Sequence, residues 1–203
     1  MIDNCNWKTN FTCMVAVEGF LVINHYDLTL HFSVQDPDPI LQNVGFDRIK
    51  FWVNNILGNS IMLCDQNPKY AQLRELHQNN FIELPVDPAD YYFVQAIWCK
   101  LNKITNGVIG VSEVEIVSDM SDGVAFVADG NEIEILDREG HSKNKCWWHS
   151  ETPKTNMQQD YIPWKQFGLD FAQESLTKSK KSARIIKVKN FNPTLVKNNN
   201  SEN

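Results

Sequence analysis

The sequence predicts an α+β domain in which an antiparallel four-stranded sheet carries two helices on one face, with elements in the order ββααββ. Three observations lead there. Residues 24–34 alternate strictly, with Tyr26, Leu28, Leu30, Phe32 and Val34 on one side and His25, Asp27, Thr29, His31 and Ser33 on the other. That is the period of a β-strand with one buried and one polar face. Two later segments carry apolar residues at helical spacing, and short strands bounded by Asp-Gly turns follow them.

In chain order, the Asn-rich residues 1–10 read as an unfixed end, and Phe11–Ile23 reads as a strand interrupted near Glu18-Gly19. The segment Gln35–Pro39 then stops the sheet, because proline cannot donate to a ladder. Phe46–Leu57 is a helix with Ile49, Val53 and Ile56 on one stripe and Trp52 beside it, Asp47 near its start and Gly58 after its end. Residues 59–82 hold a short apolar run, a helical turn or two at Tyr70–His77 and an edge piece at Phe81–Leu84. Asp87-Pro88-Ala89-Asp90 is a helix start, with an Asp cap and Pro in the first helical position. Phe93, Val94, Ile97, Leu101 and Ile104 mark the buried face of that helix, and Asn106-Gly107 ends it. Val111–Val117 and Val124–Ala128 are strands, and Glu132–Leu136 is a further one. The domain is expected over residues 11–136. Residues 137–203 form a C-terminal extension, docked through Trp147, Trp148 and the aromatics of Tyr161–Phe171, with a disordered tail after Asn198.

Bulk composition narrows the function classes. A chain of 203 residues, 42% hydrophobic and 22% charged, builds an ordinary core. The net charge of −6 argues against a general nucleic-acid binder, and the basic run Lys178–Lys189 reads as a solvated charge cluster. No apolar run approaches the ~18 to 20 residues of a membrane span, so no membrane partner is expected. Phe11–Ile23 is broken by Glu18 and lacks the basic flank of a signal peptide. Five cysteines, Cys5, Cys13, Cys64, Cys99 and Cys146, are an odd number with no CxxC spacing. That points away from a disulfide framework and toward a reducing, cytoplasmic setting.

Three segments in this order resemble the tunnelling fold of the 6-pyruvoyl-tetrahydropterin synthase and 6-carboxytetrahydropterin synthase family. They are His25 leading a long strand into an acidic, proline-containing turn, Gly45-Phe46-Asp47-Arg48-Ile49-Lys50 opening a helix, and the block Val86–Phe126. That block sets Ile97-Trp98 within a helix and follows it with a V-x-V-x strand at Val114 and Ile116. The resemblance spans about residues 11–128. It implies a tetrahydropterin-synthase-like lyase chemistry, a pterin or purine-like ring as ligand, and closed homo-oligomers with pockets between subunits.

Residue by residue, the resemblance carries over in part. Family members hold zinc with three histidines. Here His25 alone stands at such a position, so the metal set is incomplete and no cofactor is expected. The family's ligand-anchoring glutamate falls at Ser118, with Asp119 next to it, and its catalytic Asp-His pair falls at Asp65-Gln66. The implied ligand-binding residues are therefore His25, Ser118 and Asp119, and the implied acid/base is Asp65. A carboxylate suits such a ring because it accepts parallel N–H bonds. Against this, Ser118–Asp122 also reads as an acidic turn closed by Asp122-Gly123, and Asp65 as a plain loop aspartate.

Two metal readings fall to geometry and count. His25 and His31 share a face, but six residues of strand separate them by about 20 Å, and zinc ligands lie only ~2 Å from the ion. His141, Cys146 and His149 give three ligands on one loop, which needs a fourth from elsewhere. Two functional classes follow: a divergent enzyme of the tetrahydropterin-synthase type, or a non-catalytic oligomeric scaffold on the same fold.

Overall fold

The structure, a computed structural model, describes residues 4–58, 60–64, 66–76, 81–131, 146–156 and 161–171. Strand β1 (Asn4–Val17) and strand β2 (Phe20–Val34) form one long antiparallel hairpin, in register from Asn4 opposite Ser33 to Val17 opposite Phe20. Both turn residues, Glu18 (φ 49°) and Gly19 (φ 83°), are left-handed, the backbone that matches the twist of paired strands. The expectation of an unfixed end over residues 1–10 is corrected, because β1 begins at Asn4. Cys5, Trp7 and Phe11 point to the core there, and the intervening asparagines and Lys8 face outward.

Helix α1 (Pro39–Phe51) starts earlier than its apolar stripe suggests. Asp38 caps it by accepting from the Ile40 N–H at 3.0 Å, and Pro39 fills the first position. The helix continues as a wider π-helical turn over Trp52–Leu57, which buries Trp52, Val53 and Leu57 together. Strand β3 (Ile61–Cys64), helix α2 (Tyr70–Leu76) and strand β4 (Phe81–Leu84) come next. Helix α3 (Asp90–Ile104) begins after Ala89, not at Asp87-Pro88, which stay outside it. Strand β5 (Ile109–Ser118), a single 3₁₀ turn at Asp119–Ser121 and strand β6 (Ala125–Ala128) follow.

Among the described residues the sheet has six strands in the order β4-β3-β1-β2-β5-β6, not four. It is also mixed, since β3 lies parallel to β1 and β4 parallel to β3. The element order is ββαβαβαββ, because a β-α-β unit sits between the two expected helices. Sequence alternation missed β3 for a physical reason: its Ile61, Met62, Leu63 and Cys64 are all buried, as in a strand covered on both faces. Helices α1 and α3 share the main core with Tyr26, Leu28, Leu30, Val114 and Ile116. On the opposite face, Ala16, Ile61, Leu63 and Phe81 form a second, smaller core with Leu73 of α2.

Later segments close the molecule. The Glu83 N–H of β4 donates to the Thr155 carbonyl at 3.1 Å, and the Thr155 hydroxyl donates to the Phe81 carbonyl. This covers the outer edge of β4, which would otherwise be bare. Trp147 is fully buried and donates through Nε1 to the Glu83 carbonyl at 2.6 Å. Trp164 and Phe167 pack on Phe51 of α1, while Tyr161 stays exposed. The strand expected at Glu132–Leu136, His141, the basic run Lys178–Lys189 and the tail after Asn198 lie outside the described residues.

Candidate functional site

Helix α2 covers only the β1/β3/β4 half of its face of the sheet. Among the described residues the other half is open, and cross-strand register decides which side chains meet there. Thr12 stands opposite His25, Asn10 opposite Asp27, and Asp27 opposite Val117. Where the β2–β5 pairing ends at Tyr26 and Ser118, the 3₁₀ turn rises beside these rows and makes a wall. The result is a cleft of about 540 Å³ lined by Asn10, Thr12, His25, Asp27, Ser118 and Asp119, among others. A volume of that order suits a small molecule.

The structure therefore brings His25, Ser118 and Asp119 to one place. His25 is exposed, and its Nδ1 lies 2.6 Å from the Thr12 hydroxyl, which fixes the ring and leaves Nε2 as its other polar atom. Asp119 is exposed at the start of the turn. Ser118 is buried, and its hydroxyl donates to Asp90 Oδ2 at 2.6 Å. Two carboxylates, Asp27 and Asp119, can accept N–H groups there, and Asn10 and Thr12 can donate or accept.

Beneath the cleft, groups on the core side are buried. Burial, with Asp90 adding, pushes the Cys13 thiol up to about 12, so it is no thiolate nucleophile. Burial, reinforced by Cys13 and Asp90, likewise raises Tyr26 above the ordinary phenol range.

Other candidates lie apart or outside the described residues. His31 pairs with Glu113 at 3.6 Å further along the open face, and both side chains are more than two-fifths exposed. A pair so exposed adds little stability. Asp65 lies outside the described residues, and next to it the Gln66 N–H reaches Cys64 Sγ at 3.4 Å. Cys146 is buried and His149 partly so. Among the described residues no group of three metal-ligating side chains converges, and no helix is long and apolar enough to cross a membrane.

Sequence reasoning missed Thr12, Asn10 and Asp90. The alternation of β2 already set His25 and Asp27 on one face, but their neighbours on β1 follow only from register. Asp90 was legible as the acid at a helix start, and its partner lies across the fold on β5.

This geometry defines a mixed α+β protein with a six-stranded sheet and a polar cleft on its open half-face. No family model and no curated protein matches the chain. Among solved structures it is similar to an uncharacterized protein from Wolinella succinogenes, with a TM-score of 0.48, 10% identity, and coverage of 64% of this chain and 99% of that one. It is also similar to a catalytic-residue mutant of Plasmodium vivax 6-pyruvoyltetrahydropterin synthase, with a TM-score of 0.39, 14% identity, and coverage of 63% and 97%.

Proposed function

We propose that the chain is a divergent 6-pyruvoyl/6-carboxy-tetrahydropterin synthase-like protein that binds a pterin or purine-like ring in the cleft at the β2–β5 end. The observation that carries this reading is the convergence of His25 on β2 with Ser118 and Asp119, far along the chain at the end of β5, on one cleft. Asp119 accepts ring N–H groups, Asp27 offers a second acceptor, and Val117 lies in the floor. If the protein is catalytic, Asp65 is its acid/base.

Isothermal titration with neopterin and with guanosine tests the reading. The expected result is saturable binding at about micromolar Kd, weakened at least tenfold in Asp119→Ala. Absence of heat with both compounds would overturn it.

A second reading, a non-catalytic homo-oligomeric scaffold, rests on a different observation. Phe20, Leu21, Val22 and Ile23 are all exposed, Phe20 by 73%, and β5 pairs with β2 only from Tyr26 onward. An apolar strand whose edge no described residue covers favours association. Light scattering after size exclusion, together with metal analysis, separates the readings. Rings without metal or pterin binding favour the scaffold; stoichiometric zinc lost in His25→Ala favours the enzyme.

A further inference from the structure

The cleft wall is held from the opposite side of the sheet. The turn that carries Asp119 is pinned at two points outside itself. Ser118 at its base donates to Asp90 Oδ2 at 2.6 Å, and the Met120 N–H donates to Oδ1 of the fully buried Asn24 at 3.2 Å. Within the turn, the Ser118 N–H donates to the Ser121 hydroxyl at 3.1 Å, and that hydroxyl donates to the Ser118 carbonyl at 2.8 Å. Asp122 (φ 51°) and Gly123 (φ 80°) then reverse the chain into β6. Asp90 is the first residue of α3, and α3 is locked in the main core by Phe93, Ile97 and Leu101. The Tyr26 side chain, 1% exposed, also interacts with Asp90 and Asn24.

We propose that Asp90 is the positioning residue of the cleft: through Ser118 it ties the 118–123 turn to the rigid start of α3 and so sets where Asp119 meets a ligand. Of the two anchors it is the charged one, and a hydrogen bond to a carboxylate is stronger than one between neutral groups. The extended Ala89 (φ −132°, ψ 143°) before the helix offers no side-chain cap, and the Asp90 side chain in the first turn bonds to Ser118. The inference deepens the proposed ligand site and rests on it only for the binding readout.

The test measures amide hydrogen exchange across the whole chain, together with neopterin titration, in the wild type, Asp90→Ala, Asp90→Asn and Ser118→Ala. Asp90→Ala is expected to speed exchange at Met120–Gly123 about tenfold, leave Val114 and Ile97 protected, and weaken neopterin about tenfold. Asp90→Asn keeps an amide oxygen that can accept from Ser118, so it should restore most of both. The double variant Asp90→Ala/Ser118→Ala should be no worse than either single change. Unchanged exchange at 118–123 in Asp90→Ala would overturn the proposal, and so would a uniform rise that includes Val114 and Ile97. If the wild type binds no neopterin, the ligand reading fails, and the exchange data still decide the role of Asp90.

Discussion

Lys100 donates from Nζ to the Trp147 carbonyl at 2.9 Å and to the Ser150 carbonyl at 3.0 Å, so a fully buried amine on α3 holds the segment that covers β4. The Trp147 carbonyl also accepts the Ser150 N–H, so removing Nζ orphans chiefly the Ser150 carbonyl. Lys100→Met should therefore destabilise the fold by about 1–3 kcal/mol at neutral pH, read as a lower urea midpoint.

The pH dependence of that pair has a definite sign. Burial, with repulsion from Lys154 added, pulls the Lys100 pKa well below the ordinary lysine value. An unfolded lysine titrates near about 10.4. Between the lowered folded value and that point, the unfolded chain holds the extra proton, so stability rises with pH across the window. Below the folded value the full penalty for burying charge is present. The stability gap between wild type and Lys100→Met should widen as pH climbs from 7 toward 10, and a gap that narrows would contradict this account.

Arg48 ties the second late segment. Its Nε donates to the Leu169 carbonyl at 2.7 Å and its Nη1 to the Ile104 carbonyl at 2.9 Å. The guanidinium also lies 5.0 Å from the Trp164 ring and 3.8 Å from the Phe171 ring. Burial lowers its pKa to about 10 despite Asp170 and Glu151, so it stays charged at neutral pH. Lysine cannot reproduce a planar fork between two rings. Arg48→Lys should loosen residues 161–171 and speed tryptic cleavage after the exposed Lys165, followed by mass spectrometry.

Much of the fold was legible because a face of a strand or helix writes its period into the chain. Tyr26 to Val34 did so plainly. The first half of β1 carries the same period in Cys5, Trp7 and Phe11, but asparagine is a poor strand former and masked it. β3 has no alternation to read because both of its faces are covered. The site was legible where one strand supplies neighbours, as with His25 and Asp27. It was not legible where register or distant packing supplies them, as with Thr12 beside His25 and Asp90 beneath Ser118.

The hairpin turn offers a gain in stability. Glu18 adopts φ 49°, a conformation that costs most side chains but that asparagine tolerates. Glu18→Asn should raise stability by about 0.5–1 kcal/mol, seen as a higher thermal midpoint, with the cleft unaffected.

The Thr12 hydroxyl at 2.6 Å from His25 Nδ1 orients the imidazole toward the cleft. Thr12→Val keeps the branched strand side chain and removes the contact. Folding stability should move by no more than about 0.5 kcal/mol, while neopterin affinity falls several-fold in calorimetry. Equal affinity would mean that the ring does not meet the ligand.

Strand β1 pairs on one side with β2, its immediate successor, and on the other with β3, which follows only after α1. During synthesis the hairpin therefore waits with its β1 edge bare until Ile61 and its β2 edge bare until Ile109, and β4 waits again until Thr155 emerges. At ordinary ribosomal speed each interval lasts roughly several seconds. Each unpaired strand edge is a site for pairing with another chain until its partner emerges, and stalling before Thr155 would prolong that exposure at β4.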